Sequence, residues 1–317
     1  MKRSTFLRLA LAASVAPKVV AASEKPRMRK LVLIAGKPSH PPMMHEFRAG
    51  TILLEKRLRE VQGLVVDRHE MGWVDDEKTF DDADAVVCFS DGNKRHPLLE
   101  EEGRLQTIEK LVSKGVGFGC IHFGVEVPKD VAGDQFRSWI GGCYEHKFSC
   151  NPIWNAKIKE LPIHPITRGV KPFSILDEWY FNMRFAEGFD AAGPKEINGV
   201  KFTPILKASP NDKTRNGPYV YPKGPYKHIQ EALGREEALM WSVDRPDGGR
   251  GFGFTGGHFH VNWQNDEFRK TILNALCWIS KVEVPQSGIK SAAVNDAEII
   301  KNLDDKPIRR KKPKKKR

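Results

Sequence analysis

The stretch GVGFGCIHFG, residues 115–124, decides the fold. It begins with a run of seven glycine and apolar residues, which ends directly before His122. A short apolar run of this kind predicts a buried strand. The preceding residues 99–114 have apolar side chains at helical spacing, which predicts an amphipathic helix. A helix that leads into a buried strand is the repeating unit of an α/β fold with a parallel sheet.

The same alternation extends toward the N-terminus. Apolar runs predict three earlier strands, at residues 30–35 (KLVLIA), 64–67 and 83–89 (ADAVVCF), and residues 46–61 have the spacing of a helix. Strands that alternate with helices predict a mostly parallel sheet with helices on both faces and right-handed crossovers.

Beyond residue 150 the pattern changes to short antiparallel strands between segments rich in Pro and Gly. Strands are predicted at residues 201–208, 238–243 and 250–255, and a final amphipathic helix at residues 266–279. Residues 210–227 are polar and rich in Gly and Pro, which predicts a long loop near the site.

The N-terminal residues differ from the rest of the chain. Residues 1–23 combine a basic start, a short apolar run and the small residues 21–23, which is the pattern of a secretory signal peptide. The apolar run is too short to span a bilayer. We therefore expect export to the periplasm or cell envelope, followed by one folded domain at residues 28–281.

The C-terminal residues 282–317 are predicted to form a polar linker and a basic, disordered tail. Most of the net charge of +12 lies there, since the last twelve residues carry nine Lys or Arg and no acid. Such a run is normally solvated, and it can attract an anionic polymer or a membrane surface non-specifically. The sequence contains no nucleic-acid recognition motif, so specific binding of nucleic acid is not predicted.

The five cysteines include no CxxC pair, so the sequence supports neither a zinc knuckle nor c-type haem attachment. Cys88, Cys120 and Cys277 lie in apolar runs and are expected to pack as small hydrophobic side chains. Cys143 and Cys150 are close enough in sequence for a disulfide across a short loop, and the sequence leaves that pairing open.

Polar side chains follow the predicted strands, where ligands bind in open parallel sheets. They are Ser39, His40 and His45 after the first strand, Asp91 and His96 after the third, His122 after the fourth, Asp177 and Glu178 after the apolar run 173–176, and His258 and His260 after the strand ending at Thr255. Because His258 and His260 alternate, only one of the two needs to face the site.

Five segments, in order, resemble the ThuA-like (trehalose-utilisation) family. They are LVLIAGKPSHPPMMHEF, GVGFGCIHFG, WIGGCYEHKF, HPITRGVKPFSILDEWY and GFGFTGGHFHVNW. The resemblance spans residues 30–280. It implies the class I glutamine amidotransferase fold, a flavodoxin-like three-layer sandwich, and this agrees with the α/β pattern above.

The resemblance also shows which catalytic groups this chain lacks. Amidotransferases carry a cysteine nucleophile at the strand-to-helix elbow, where this chain has His122, with Cys120 two residues earlier. Their His-x-Glu pair is replaced by His258-Phe259-His260. Because the nucleophile and its histidine base are missing, glutamine hydrolysis is not expected.

The remaining imidazoles and carboxylates suit two kinds of chemistry, proton transfer and coordination of a divalent metal such as Zn²⁺. We predict His122 as the base, His258 as the acid or a metal ligand, and Glu178 as the third catalytic residue. The expected metal ligands are His45, His122 and His258. The expected substrate-binding residues are His45, Asp91, His146, His260 and Trp263.

The family resemblance implies a sugar substrate, specifically a disaccharide or glycoside oxidised at C3. The ketone acidifies the C2 proton, so a base can remove it, the glycosidic oxygen at C1 leaves, and water then adds. An exported enzyme that cleaves such a 3-keto glycoside is therefore expected. The alternative is a non-catalytic carbohydrate-binding or scaffold module of the cell envelope.

Overall fold

The structure is a computed structural model that describes residues 27–306. The predicted signal peptide and the basic residues 307–317 lie outside the described residues. Among the helices of residues 27–306, none combines the length and the apolar character that a membrane span requires.

The described chain contains twelve strands, seven α-helices and six short 3-10 helices, one of which, His122–Val125, directly follows β4 in the sequence. The strands are β1 (Arg29–Ala35), β2 (Leu64–His69), β3 (Ala85–Phe89), β4 (Gly117–Ile121), β5 (Gly142–Cys143), β6 (Ile153–Ile158), β7 (Phe173–Glu178), β8 (Arg184–Phe185), β9 (Lys195–Ile197), β10 (Val200–Ala208), β11 (Glu237–Asp244) and β12 (Arg250–Phe254). The helices are α1 (Phe47–Leu58), α2 (Arg104–Ser113), α3 (Lys129–Ile140), α4 (Asp212–Arg215), α5 (Lys227–Gln230), α6 (Asp266–Ile279) and α7 (Asp296–Ile299).

The central sheet has eight strands in the order β2-β1-β3-β4-β12-β11-β10-β9. The first five of these are parallel, and β11, β10 and β9 continue the sheet with antiparallel pairing. Two further pairs, β5 with β8 and β6 with β7, form small antiparallel sheets. The predicted flavodoxin-like α/β fold is confirmed, and the carboxyl ends of β1, β3, β4 and β12 share one edge.

Alternate side chains of β1 enter two different cores, one on each face of the sheet. Leu31 and Leu33 pack in a core that includes residues of α1 and α6. Val32 and Ile34 pack in the core that includes residues of α2 and α3. The strand period of two thus produces the three-layer sandwich.

The predicted strands and helices lie where they were expected, with differences of one or two residues at most ends and a start five residues later for α2, at Arg104. The third strand begins two residues later than predicted, at Ala85, and the Asp84 side chain just before it accepts from the Lys30 amide at 2.8 Å. The prediction missed α3. Its buried Ala132, Phe136 and Trp139 have helical spacing, but Gly133 and the exposed Val131 interrupt the apolar pattern.

The chain after α6 differs from the predicted polar linker. Val284, Ile289, Val294 and Ile299 are buried in the core that contains α1 and α6. Apolar residues spaced about five apart lack strand or helix periodicity, so the sequence pattern did not reveal this packing. As far as Lys306, the C-terminal segment is therefore part of the folded domain.

Candidate active site

Four parallel strands bring polar side chains to one edge of the sheet. His45 lies in the loop after β1, Asp91 follows β3, His122 follows β4 and His258 lies four residues beyond the end of β12. Because β1, β3, β4 and β12 are consecutive neighbours, these side chains meet. Glu178, the last residue of β7, approaches the same point from the small β6–β7 sheet.

A cluster of four buried side chains, His45, His122, Glu178 and His258, forms the centre of the site. One ligand atom from each lies within 4.8 Å of the others. His45 Nε2 is 3.1 Å from His122 Nε2 and 3.0 Å from His258 Nδ1. Glu178 Oε2 is 2.6 Å from His258 Nδ1 and 3.7 Å from His122 Nε2. The predicted convergence of His45, His122, His258 and Glu178 is thus what the structure contains.

The orientation of His122 follows from its place at the strand-to-helix elbow. Its φ is +57°, a left-handed conformation that turns the chain sharply after β4. Its Nδ1–H donates to the Thr255 carbonyl oxygen at 2.8 Å. Since a carbonyl oxygen can only accept, Nδ1 carries the proton and Nε2 directs a lone pair into the cluster.

His45 is oriented in the same way by a carboxylate. Its Nδ1–H donates to Asp91 Oδ1 at 3.1 Å, and the same oxygen accepts from Ser39 Oγ at 2.8 Å. His45 Nε2 therefore also directs a lone pair into the cluster. Two imidazole lone pairs face one another at 3.1 Å, an arrangement that a shared cation or a shared proton stabilises.

Asp177 holds His258 in place through the backbone. This fully buried carboxylate accepts from the amides of Gly257 at 2.7 Å and His258 at 3.1 Å. Gly257 has a φ of +113°, which favours glycine at this turn. Asn151 Nδ2 donates to Glu178 Oε1 at 2.9 Å and leaves Oε2 directed at the cluster.

Burial favours the neutral form of two imidazoles of the cluster, His45 and His122. Desolvation, reinforced by the neighbouring histidines, holds the pKa of His45 and of His122 well below the usual value. Desolvation also raises the pKa of Glu178, and its hydrogen bond with His258 opposes that rise. Neutral imidazoles are the form that binds metal ions.

The donor set fits a divalent metal ion of the Zn²⁺ type. Three imidazole nitrogens and one carboxylate oxygen are common zinc ligands, and tetrahedral bonds of about 2.0–2.1 Å place donor atoms roughly 3.3 Å apart. The two imidazole separations, 3.1 and 3.0 Å, are close to that spacing, and the separations from Glu178 Oε2, 2.6 and 3.7 Å, lie on either side of it. His45 and His122 each donate Nδ1–H to a fixed acceptor, the Asp91 carboxylate and the Thr255 carbonyl, and hydrogen bonds of this kind orient metal-binding histidines.

A cavity of about 270 Å³ opens beside the cluster. Its lining includes His45, Glu178 and Tyr180 as well as Asn93, Glu126 and Tyr221. The Tyr180 hydroxyl lies 3.3 Å from His122 Nε2. A second cavity of about 480 Å³ adjoins the first, because His40 and Arg95 line both.

Glu126 is a second buried carboxyl group of the cavity. Asn93 Nδ2 donates to its Oε1 at 2.8 Å, and Oε2 has no hydrogen-bond partner among residues 27–306. Burial, together with the charge of Glu178, raises the pKa of Glu126 to about 7, while the hydrogen bond from Asn93 opposes that rise. The sequence pattern did not indicate Glu126, although this residue follows β4 by only five residues at the edge where the other polar residues meet.

Three of the predicted substrate-binding residues lie away from the cluster. His146 is exposed, with its ring centre 5.9 Å from that of Tyr221, a residue of the cavity lining. His260 is buried on the other side of its loop, where it lines a cavity with residues of α1 and α7. Trp263 is fully buried and packs against Phe89 in the core.

Of the remaining strand-end residues, His40 belongs to the site and His96 to the core. The His40 ring stacks on His45 with ring centres 3.6 Å apart. His96 Nε2–H donates to the Gly124 carbonyl at 3.1 Å, and its Nδ1 accepts from the Leu98 amide. His96 therefore holds the chain after β4 and does not contact the cavity.

The cysteines lie outside the cluster. All five are buried and free in the structure, so Cys143 and Cys150 are not paired. Cys120 is fully buried in β4, and desolvation raises the pKa of its thiol well above the usual value. A thiol in this environment is not a nucleophile at neutral pH.

Fold and site together define the class of protein: a flavodoxin-like α/β protein with a buried histidine–carboxylate centre at the carboxyl edge of its sheet. The sequence profile of the ThuA family, described as trehalose utilisation, matches residues 32–279. The chain belongs to this family, which links it to carbohydrate utilisation.

Two solved structures share the fold. A ThuA-like protein from Bacteroides uniformis is 14% identical with a TM-score of 0.55, covering 82% of this chain and 94% of its own. A ThuA-like protein from Parabacteroides merdae is 16% identical with a TM-score of 0.52, covering 82% and 92%. No curated protein matches the sequence.

Proposed function

We propose that this protein is an exported carbohydrate-active enzyme that cleaves an oxidised (3-keto) glycoside or disaccharide. In this proposal His45, His122, His258 and Glu178 hold a divalent metal ion such as Zn²⁺. The observation that carries the metal site is the pair of imidazole lone pairs that face each other at 3.1 Å, with both outer nitrogens committed as donors.

A cation at the cluster would supply a Lewis acid beside the cavity, suited to an oxygen that gains negative charge. Removal of the C2 proton next to a C3 ketone creates such an oxygen. The Tyr180 hydroxyl, which lies 3.3 Å from His122 Nε2, can donate a hydrogen bond to an oxygen bound at this position. The side chains of the site thus suit a substrate that carries a ketone.

The size and the lining of the cavity support a substrate with more than one sugar ring. The cavity beside the cluster adjoins the larger one through His40 and Arg95. Asn93 and Asn151 offer amide groups, and Tyr221, which is exposed, offers an aromatic face. Amide groups bind sugar hydroxyls, and aromatic rings pack against the apolar faces of sugars.

The metal assignment changes the role that His122 takes. A lone pair that ligates a cation cannot also accept a substrate proton. Under this proposal His122 and His258 are catalytic as ligands, and proton transfer falls to other groups that face the cavity.

The function is tested by incubating the purified full-length protein with 3-keto-glucosides and 3-keto-disaccharides and measuring release of the C1 alcohol. We expect turnover by the wild type and a loss of at least about 10²-fold in His122→Ala. The unoxidised parent sugars serve as the control and should not react. Saturable binding of 3-keto or plain sugars without any release would contradict the enzyme proposal and favour a carbohydrate-binding module.

A further inference from the structure

The proton-transfer group of the site must face the cavity without belonging to the metal cluster. In the described chain, the titratable side chains that line the cavity beside the cluster, apart from His45 and Glu178, are His40, Arg95, Glu126, Tyr180 and Tyr221. Arginine is always protonated and a tyrosine hydroxyl is a poor base at neutral pH. The choice therefore lies between His40 and Glu126.

His40 is already engaged at one face of its ring and at one ring nitrogen. Its ring stacks on His45, and its Nδ1 lies 2.9 Å from Ser39 Oγ and 3.6 Å from Asp91 Oδ1. These contacts tie His40 to the partners of His45 and explain its position without a substrate.

Glu126 has the opposite arrangement. Its Oε1 is fixed by Asn93, and its Oε2 has no partner in the described chain although the residue is buried at the cavity wall. The Glu126 amide donates to the Phe123 carbonyl at 2.9 Å and its carbonyl accepts from the Asn93 amide at 2.8 Å, so the backbone is held as well. An unpartnered carboxyl oxygen on a residue that lines a cavity, held by a fixed backbone, is suited to contact a bound substrate.

We propose that Glu126 is the catalytic base of this site and that it removes the C2 proton of the 3-keto sugar. This inference rests on the proposed function. Glu126 Oε2 accepts the proton, and the electrons of the C2–H bond form the C2=C3 bond of an enolate whose C3 oxygen carries the charge. The C3 ketone then re-forms, the C2=C3 electrons shift to form the C1=C2 bond, and the electrons of the C1–O bond stay on the leaving oxygen. That oxygen then takes the proton from Glu126, which returns to the carboxylate.

The addition of water reverses these transfers. Glu126 takes a proton from the water molecule as the water oxygen bonds to C1. The electrons of the C1=C2 bond move to C2, which then takes the same proton from Glu126. The net result is hydrolysis, and neither an oxidant nor a reductant is consumed.

The test separates proton removal from cleavage. A 3-keto sugar with hydrogen in place of the C1 leaving group cannot eliminate, but a base can exchange its C2 proton for deuterium in D₂O. We expect the wild type to catalyse this exchange, as seen by loss of the C2 proton signal in NMR spectra. Glu126→Gln, which keeps an oxygen to accept from Asn93, should lose about 10²–10⁴-fold of both exchange and cleavage.

Two controls accompany this comparison. Glu236→Gln removes an exposed carboxylate that pairs with Lys207 on the surface and should leave exchange unchanged. Metal content, measured in the same samples, should be equal in wild type and Glu126→Gln, because Glu126 lies outside the cluster.

Equal exchange by wild type and Glu126→Gln would overturn the role of Glu126 while leaving the proposed function intact. Absence of both cleavage and exchange in the wild type would overturn the proposed function itself. Loss of metal from Glu126→Gln would also contradict the inference, since it would make Glu126 part of the metal site.

Discussion

At the scale of single residues, the site depends on which imidazole nitrogen carries the proton. His45 and His122 both use Nδ1–H to contact a fixed acceptor, the Asp91 carboxylate and the Thr255 carbonyl. Each bond leaves Nε2 free to ligate. The chemistry of the cluster is therefore set by residues that do not themselves touch the proposed metal ion.

Asp91→Asn should weaken metal binding by about 10–100-fold, because the amide is a poorer acceptor for His45 Nδ1–H and His45 Nε2 becomes a weaker ligand. The measurement is a competition titration with a chelator of known affinity. Asp190→Asn, at a partly exposed residue paired with Lys195, is the matched control. Unchanged affinity in Asp91→Asn would show that this bond does not support the cluster.

The sequence predicted the residues of the cluster better than the residues around it. His45, Asp91, His122 and His258 follow strands, so parallel topology alone brings them to one edge. His260 follows the same strand as His258, but alternation turns it toward α1 and α7. Glu126 and Tyr180 follow no predicted strand end directly, and only the folded loops bring them to the cavity.

At the scale of elements, the C-terminal segment secures the loop that carries His45. Lys306 Nζ donates to the carbonyls of Met44 at 2.7 Å and His45 at 3.0 Å, and it lies 3.1 Å from Glu46 Oε1. Both side chains of this ion pair are buried. The sequence predicted a disordered tail from Lys306 onward, and for Lys306 itself that prediction is wrong. The partner of Lys306 is the buried carboxylate of Glu46, 260 positions earlier in the chain, and local composition does not reveal such a distant contact.

Lys306→Met should lower the free energy of unfolding by about 3–5 kcal/mol, because Glu46 would remain buried without its cation. Chemical denaturation with urea measures this change. Deletion of residues 309–317 keeps Lys306 and is the matched comparison. That deletion should leave stability nearly unchanged and weaken binding to anionic polymers, since the deleted residues are mostly Lys and Arg. Equal stability of Lys306→Met and wild type would contradict the proposed anchoring.

At the scale of the whole molecule, a parallel sheet supplies the common edge and the surrounding loops exclude water from the polar groups. The alternation of apolar runs and amphipathic helices was sufficient to predict the strands of the parallel part of the sheet, but not their spatial order. The long loop predicted at residues 210–227 does reach the cavity, through Val220 and Tyr221. The small sheets β5–β8 and β6–β7 were not predicted, because their strands are short or half exposed.

Burial of histidines makes the stability of the molecule sensitive to acid. Desolvation lowers the pKa of the fully buried His96 to about 4, from an ordinary value near 6.5. Below pH 6.5 the unfolded chain binds a proton at this residue that the folded chain does not. The contribution of His96 to the free energy of unfolding is therefore complete above pH 6.5, shrinks as the pH falls, and is lost once the pH has fallen through 4.

His96→Gln isolates this contribution from that of the other titratable groups. The difference in unfolding free energy between wild type and His96→Gln should shrink by up to about 1.4 kcal/mol per pH unit between pH 6.5 and pH 4. Urea denaturation at a series of pH values measures it. A difference that is constant over this range would show that His96 titrates alike in both states.

The central claim is that His45, His122, His258 and Glu178 form one divalent-metal site. It is tested most directly by titrating the chelator-treated, full-length protein with Zn²⁺ and measuring the stoichiometry by calorimetry and elemental analysis. The account predicts one tightly bound ion per chain for the wild type and none in the double variant His122→Ala, His258→Ala, with both proteins folded. A wild type that binds no more Zn²⁺ than this double variant would contradict the account.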